Sequence, residues 1–547
     1  MSPKDEESPA EYNDGGYLQV KLSDLFKDGR YSIVRKLGWG HFSTVWLVKD
    51  SLEKRHSALK IVKSAGRYSE TARDEIKLLR QVTNASPSHS GRAHIVTFLD
   101  SFAHTVSSRA HICITLEPLG ANLLSLIEKN RRKGVPPCVV KSIARQVLLG
   151  LQYLHEECDL VHTDIKPENI MMCIPDVESH ITAQLSASPP PQTHRLPIPS
   201  PRSRRVAALS SQTLPVSTRS VHILESQPLS SPPDQHRLHS RLGSSASLGG
   251  SSYTDSLLVR PRSSVSSPAT SLGSAMSKLK LTSPERPSGD PIKNTALPIE
   301  PHEGSPPRVM PTRPSLLSQT APSHSHASKP SRTDSFSSSS SSSSEPPSSS
   351  VSSSPPPYDS SSPFHPILVK IADLGNATPS KRHYTEDIQT RQYRSPEAIT
   401  GRSDWNCKVD VWSIACVVFE LLTAEYLFEP QAQGQVFSKD DDHLAQIIEL
   451  LGDFPPSAKQ GGRYSRELFD HTGALRYIKH LKPWPLNRVM REKYLFEPAE
   501  ADALCSFLEP MLALDMRERA SAGEMANHPW LDVDWNEEAT TLESVVW

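Results

Sequence analysis

The sequence is short of apolar residues, of glycine, of paired cysteines and of net charge. Hydrophobic residues make up 36% of its 547 residues, against ~45–50% in an ordinary globular chain on a similar count. Glycine, at 24, is half as frequent as proline, at 48. These averages exclude one uniform globule and predict that part of the chain is disordered. At roughly 100–200 residues per domain, two or three domains fit the length. The formal charge is −1, from 60 basic and 61 acidic residues. That excludes a globally basic nucleic-acid coat and a polyacidic tail protein.

Cysteine is scarce in useful patterns. The seven cysteines are odd in number, and no two stand at C-x-x-C spacing. A disulfide framework or a zinc knuckle is not expected on that pattern, and a reducing compartment is. Long apolar runs are lacking too. Met1 to Gly16 has no apolar core of a signal peptide. The most apolar stretch, Val409 to Phe428, is broken by Asp410, Ser413 and Glu420, so it reads as a buried helix and not a membrane span. The expectation is a soluble intracellular protein.

What is present is unevenly placed. Residues 175–366 hold 31 of the 48 prolines and the unbroken run Ser337–Ser344. They carry 17 Lys and Arg against 12 Asp and Glu, a net of +5, which leaves −6 on the rest. A Ser/Pro stretch with few aromatics cannot bury enough apolar area to offset its chain entropy, so it is expected to be disordered. The flanks are different. Tyr31–Leu37, Ser43–Lys49 and Ser57–Val62 are β-rich and punctuated by glycine, as strands are. Residues 69–82 and 138–156 have helical spacing, with Val139, Ile143, Val147, Leu151 and Leu154 on one face. Beyond 366 a strand-like Ile367–Ile371 precedes helical stretches at 409–424, 442–451, 486–493 and 499–513. Strands first and helices after predict an α+β fold.

Four short motifs carry chemistry. Gly38-Trp39-Gly40-His41-Phe42-Ser43-Thr44-Val45 lies between two strand patterns, and its glycines allow close approach to a phosphate. Ser43 stands where G-x-G-x-x-G has its third glycine, and an ordinary glycine hairpin has the same pattern. Lys60 follows in a strand pattern, where its ammonium would face phosphate oxygens. Glu75, fifteen residues on, either pairs with it or is one more acid on a helix surface with Asp74, Lys77 and Arg80. The third motif is His162-Thr163-Asp164-Ile165-Lys166-Pro167-Glu168-Asn169. It fits H-R-D-L-x-x-x-N, with threonine for arginine. Asp164 would orient an attacking hydroxyl, Lys166 would neutralise a transferring phosphoryl group, and Asn169 would ligate magnesium. The fourth, Asp373-Leu374-Gly375, fits D-F-G, with Asp373 as a second magnesium ligand. Ser395-Pro396-Glu397 then matches A-P-E, and Asp410-Val411-Trp412-Ser413 follows.

In this order the motifs resemble a eukaryotic protein kinase, over roughly residues 31–174 and 367–531. The resemblance implies a two-lobed kinase fold with a β-rich N-lobe and a helical C-lobe, split by a disordered insert. The implied divisions are an N-terminal extension (1–30), the N-lobe (31–116), the C-lobe in two parts (117–174 and 367–535) around the insert (175–366), and a tail (536–547). ATP and Mg²⁺ are the implied cofactors. Leu37, Gly38, Gly40, Val45, Lys60 and Glu75 would serve the nucleotide. The backbone from Glu117 to Leu119 would meet the adenine, and Arg519 would pair with Glu397. Lys166 resembles its counterpart in serine/threonine kinases.

Finer details resemble the SR-protein kinase family, which phosphorylates serines in Arg-Ser repeats. They are Leu37-Gly38-Trp39-Gly40-His41-Phe42-Ser43-Thr44-Val45-Trp46, Thr163, Ala372–Ala377, Ile388–Glu397 and the internal spacer. The resemblance implies constitutive activity, because Thr163 replaces the arginine that binds a phosphorylated activation loop in many kinases. It implies Arg-Ser-rich splicing factors as partners, action in cytoplasm and nucleus, and a docking groove mapping onto Glu425, Asp442, Glu449 and Lys493. Acids at a helix start are equally good caps, so Asp440–Asp442 have two readings here, and Glu449 reads alternatively as a solvated helix face. Arg394 and Lys439 resemble residues that receive an already phosphorylated serine. Direct nucleic-acid or membrane contact is not expected, and a monomer is. Arg202-Ser203, Arg219-Ser220 and Arg262-Ser263 in the insert read as autophosphorylation sites, as weak pseudosubstrates, or equally as chance matches in a Ser-rich stretch. Two rivals are a LAMMER-type dual-specificity kinase and a non-catalytic scaffold acting through the insert. Leu444-Ala445-Gln446-Ile447-Ile448-Glu449 stands in place of the LAMMER run, and the complete catalytic set argues against the scaffold.

Overall fold

A computed structural model describes residues 6–189, 191–197, 220–230 and 367–533. The N-lobe is built on strands β1 (Leu25–Phe26), β2 (Tyr31–Gly40), β3 (Ser43–Asp50), β4 (Arg55–Val62), β5 (Phe98–Val106) and β6 (Arg109–Leu116). All neighbours are antiparallel, in the order β1-β2-β3-β4-β6-β5. One helix, α1 (Gly66–Asn84), crosses from β4 to β5. Alternate residues of a strand point to opposite faces, and this sorts the lobe. Trp46 and Val48 of β3 and Leu59 and Ile61 of β4 enter one apolar cluster. Leu47 enters another, and Lys60, between Leu59 and Ile61, is turned toward the cleft.

The C-lobe continues with α2 (Leu123–Lys129), α3 (Pro137–Gln152) and the short strands β7 (Leu160–Val161) and β8 (Ile170–Met172). Pro137 opens α3 at a position where its missing N–H costs nothing. The loop before α3 is seated on the end of a later helix: Val135 N–H donates to the Leu421 carbonyl at 2.7 Å. A Cβ on Gly134, whose φ is +72°, would lie 1.9 Å from the Leu422 oxygen. Only glycine fits there.

Next comes α4 (Val177–Ala187), then the hairpin β9 (Thr193–Pro197) with β10 (Ser220–Leu224). The chain returns as β11 (Val369–Ile371), which pairs antiparallel with β8, and β12 (Thr378–Pro379), which pairs with β7. Helices α5 (Lys408–Thr423), α6 (Lys439–Leu451) and α7 (Pro498–Met511) complete the lobe. Helix α5 is apolar nearly all round: every residue from Val409 to Leu422 is buried. This is the stretch that reads as a buried helix, and no helix among the described residues is long and apolar enough to cross a membrane.

Two flanking segments pack on the N-lobe. The N-terminal extension before Tyr31 is not detached from it. Glu6 and Glu7 both pair with the fully buried Lys36, and Glu11 pairs with Lys63 at 2.7 Å. Val20 and Phe26 join the apolar cluster of the sheet. Nor is the insert wholly without structure from residue 175. Ile181 of α4 is 0% exposed and packs with Leu47, Ile174 and Leu229. Glu178 pairs with His56 at 2.6 Å, and Leu224 of β10 enters the sheet cluster. Apolar residues at 177, 181 and 185 give this short stretch a helical face that the surrounding composition hides. The disorder expected for 198–219 and 231–366, with all three Arg-Ser candidates except Ser220, falls outside the described residues.

Candidate active site

Sheet, α1 and the two halves of the C-lobe meet at one cleft. Its roof is the β2–β3 hairpin, with Gly38 opposite Val45 and Gly40 opposite Ser43. A Cβ on Gly38 or Gly40 would meet nothing within 4 Å, so both glycines face open space. Leu37 and Val45 are half-buried. Leu37 also packs against the cluster that holds Ile181, which ties the roof to the first helix of the insert.

Lys60 Nζ donates to Glu75 at 2.7 and 3.0 Å and to Asp373 at 3.4 Å. Glu75 is 5% exposed, and the pairing reading of its sequence position holds over the surface one. Burial alone would lower the pKa of the Lys60 ammonium, but the two carboxylates outweigh it and raise it. Lys60 in turn holds the Asp373 carboxyl below its ordinary range against the opposing effect of burial, with His162 and Lys166 adding to the pull. Asp373 sits in the left-handed region at φ +60°, an uncommon conformation that aims its side chain into the cleft.

The catalytic loop is held from below by Asp410 of α5. Its carboxylate accepts from the His162 N–H at 2.8 Å, the Thr163 N–H at 2.9 Å and His155 Nε2 at 2.9 Å. Thr163, at φ +66°, donates its hydroxyl to the Asn376 carbonyl at 2.9 Å and accepts from the Gln389 N–H at 2.9 Å. Asp164 then faces upward. Its Oδ2 accepts from Lys166 at 2.8 Å, and its Oδ1 accepts from the Thr390 hydroxyl at 2.7 Å. Asn169 donates Nδ2 to the Asp164 carbonyl at 2.8 Å, which leaves its Oδ1 free for a cation. Among the described residues no group of three or more His, Cys, Asp or Glu could hold a metal. One ionised carboxylate and one amide fit magnesium, which keeps several waters and takes substrate phosphates as its other ligands. Asn169 and Asp373 are far apart in sequence, and the β8–β11 pair joins them: the Ala372 N–H donates to the Asn169 carbonyl at 2.8 Å.

At the back of the cleft Glu117 is engaged twice, accepting from the Thr97 N–H and from Lys370, both at 2.6 Å. Its own N–H donates to Thr97. Leu119 lies two residues on, half-buried against the large core. Below the cleft Arg519 and Glu397 form a bidentate pair at 2.6 and 2.9 Å, both groups buried. This is the expected brace, and its two-pronged geometry is the strong form of such a pair.

The expected docking set separates. Glu425 and Lys493 pair at 2.8 Å at the surface, with Glu425 56% exposed. Burial would raise the Glu425 carboxyl, but Lys493 and the Tyr494 hydroxyl hold it below its ordinary value. Asp442 and Glu449 are 2% and 1% exposed. Asp442 accepts from the Gln431 N–H at 2.9 Å and Gln446 at 2.8 Å, and Glu449 accepts from the Lys482 N–H at 2.9 Å. Both carboxylates answer internal N–H donors, so they do not line an open groove. The start of α6 is a capping box between Ser438 and Asp441, and Asp440 pairs with Arg391. Capping is therefore the role found at Asp441. Arg394 is held by the Gln389 carbonyl at 2.8 Å and by Asp387 at 3.1 Å. Asp410 and Gln389 lie in stretches that the sequence motifs mark, but their supporting role is not legible there, because their partners lie far along the chain.

Comparison with known proteins agrees with this geometry. The chain matches the protein kinase domain family over residues 31–182 and 360–531. It is 38% identical to protein kinase dsk1 of Schizosaccharomyces pombe, covering 96% of this chain and 85% of that one. It is 39% identical to SRSF protein kinase 3 of Mus musculus, covering 97% and 91%. It is 38% identical to serine/threonine-protein kinase SKY1 of Saccharomyces cerevisiae, covering 96% and 78%. A crystal structure of a kinase domain superposes with a TM-score of 0.51 over 94% of this chain and 99% of the other, at 18% identity, a likeness of fold. With its catalytic loop, ion pairs and split domain in place, the chain is a serine/threonine protein kinase and belongs to the family of the SRSF protein kinases.

Proposed function

We propose that the enzyme transfers the terminal phosphoryl group of ATP to serines in Arg-Ser-rich splicing factors, in cytoplasm and nucleus, and so regulates mRNA splicing. The observation that carries the reaction is at Asp164: its carboxylate already accepts a hydroxyl hydrogen bond, from Thr390, at 2.7 Å. A substrate serine in that place would present its oxygen for attack, with Asp164 taking or orienting the proton. ATP is the phosphoryl donor, and Asn169 and Asp373 would hold a Mg²⁺ ion that would supply charge neutralisation for the phosphates. Lys60, fixed by Glu75, orients the nucleotide phosphates, and Lys166 balances charge beside Asp164. The similarity to the SRSF protein kinases supports the substrate class, and Glu425, exposed although paired with Lys493, is the docking acid within reach of a substrate arginine.

The test is phosphorylation of an Arg-Ser repeat peptide beside a matched Lys-Ser peptide and a general basic peptide, with Asp164→Asn as control. The Arg-Ser peptide is expected to be preferred by at least about tenfold, the scale of one bidentate arginine contact. Equal rates on all three would leave a kinase without this specificity. Activity is also proposed to need no prior phosphorylation. Thr163 and Gln389 tie the catalytic loop to the activation segment by neutral hydrogen bonds, and the Gln389 amide further bonds Val409, Ser413 and Ser395. Enzyme made in bacteria and treated with phosphatase is expected to keep most of its activity. Near-total loss would overturn this.

A further inference from the structure

The C-lobe segment between α6 and the helix Leu486–Glu492 holds positive charge that the catalytic reading leaves unused. From Lys459 to Lys482 there are six lysines and arginines against Glu467 and Asp470. Some are engaged: Lys459 with Asp453 at 2.8 Å, Lys479 with Asp470 at 2.6 Å, and Arg476 with two carbonyls at 2.7 and 2.9 Å. Arg463 and Arg466 are exposed and have no carboxylate partner among the described residues. Together with Lys459 and His471 they line a surface cavity of about 760 Å³ whose wall also includes Phe469, Gly473 and the Lys479-paired Asp470. Gly473, at φ +81°, lies under the Lys459 side chain, which would be 3.5 Å from an added Cβ.

This cavity is joined to the end of the helix Pro396–Thr400. Tyr464 and Arg463 donate their N–H groups to the carbonyls of Thr400 and Gly401 at 2.9 and 3.0 Å. A Cβ on Gly401 would lie 2.7 Å from the Tyr464 ring. The loop that carries the free guanidiniums therefore abuts the short helix Pro396–Thr400, which follows the segment that faces Asp164.

We propose that this cavity is an exosite for phosphoserine in an Arg-Ser chain that the enzyme has already modified. The inference rests on the Arg-Ser reading above. An unmodified Arg-Ser chain is cationic, and two unpaired arginines repel it. Each phosphate adds about −1.5 to −2 charge, which reverses the sign of the chain, and a guanidinium grips phosphate bidentately. The site thus favours product over substrate and holds a partly modified chain beside the helix Pro396–Thr400.

The test uses the full-length enzyme without nucleotide and a labelled peptide of Arg-Ser repeats, with its serines either free or all phosphorylated, read by fluorescence anisotropy at about 0.1 M salt. The variant R463A/R466A is expected to bind the phosphorylated peptide about tenfold more weakly and the free peptide within about twofold of wild type. R463K/R466K keeps the charge, loses the fork, and is expected to fall between. Both side chains are exposed, and an unchanged melting temperature confirms folding. Undiminished binding of the phosphorylated peptide, or an equal loss for both peptides, overturns the exosite. So does a single-stranded RNA oligonucleotide that binds wild type more tightly than the phosphopeptide and loses that binding in the variant. If wild type fails to prefer the free Arg-Ser peptide as a substrate, the Arg-Ser reading has failed. If it shows that preference while R463A/R466A binds normally, only the exosite has.

Discussion

Glu420 shows how a single buried carboxyl sets a pH dependence. It is 4% exposed in α5 and accepts the Tyr393 hydroxyl at 2.6 Å. Burial pushes its pKa from 4.5 up to about 7; the Tyr393 hydrogen bond opposes the rise and neighbouring Glu168 adds to it. The folded state thus holds a proton over a range in which the unfolded chain has lost it. Its stabilising contribution is complete below pH 4.5 and lost as the pH rises through about 7. Glutamine keeps an acceptor for Tyr393 and cannot ionise. Glu420→Gln is expected to melt a few degrees above wild type at alkaline pH, with the gap closing as pH falls toward 4.5. Thermal melts across that range check it, and a gap independent of pH refutes it. At this scale the sequence is legible where chemistry demands fixed spacing, as from His162 to Asn169. It is illegible at Asp442 and Glu449, because an acid answering buried N–H groups and an acid facing water have the same letter.

Among elements, those with one buried face announce themselves. The periodicities over 69–82, 138–156 and 409–424 lie within α1, α3 with the turn after it, and α5 with its cap. Strand β5 has no such signal, since it ends the sheet order and its residues are half-buried or exposed along its length with no alternation. Helix α4 is missed for another reason. Its eleven residues sit at the start of a Ser/Pro-rich stretch whose average composition masks them. Its anchor is Ile181, 0% exposed against Leu47 and Leu229. Ile181→Glu puts a charge where an apolar side chain fits, at a cost of about 3 kcal/mol or more. The penalty is expected to fall locally, because α4 lies on the surface of a lobe whose sheet has its own cluster. Hydrogen exchange is expected to show lost protection over 177–187 with α5 unchanged. Retained protection in α4 would show that the Ile181 contact does not hold it.

For the whole molecule the question is how a kinase domain tolerates an insert between Asn169 and Asp373, two groups proposed to hold one metal. The answer lies at the β8–β11 pair. Met172 faces Val369 in register, and the Cys173 N–H donates to the Leu368 carbonyl at 2.8 Å. The insert thus leaves and re-enters across a hydrogen-bonded antiparallel pair, the place where a hairpin turn would otherwise stand. Closing a longer chain there costs only about 0.6 kcal/mol per doubling of length. The described part of the insert is different in kind: α4 and β10 bury apolar residues on the N-lobe. The two parts are therefore expected to separate by deletion. Replacing 231–366 with a Gly/Ser linker of about 30 residues, extendable to roughly 100 Å, should leave the melting temperature unchanged and Arg-Ser peptide phosphorylation within about threefold of the full chain. Extending the deletion back to residue 176 should lower the melting temperature, since it uncovers Leu47 and takes away the partners of His56 and Lys36. Equal effects of the two deletions would mean that the ordered contacts of the insert carry no weight. A large loss from the shorter deletion alone would place an essential role within 231–366.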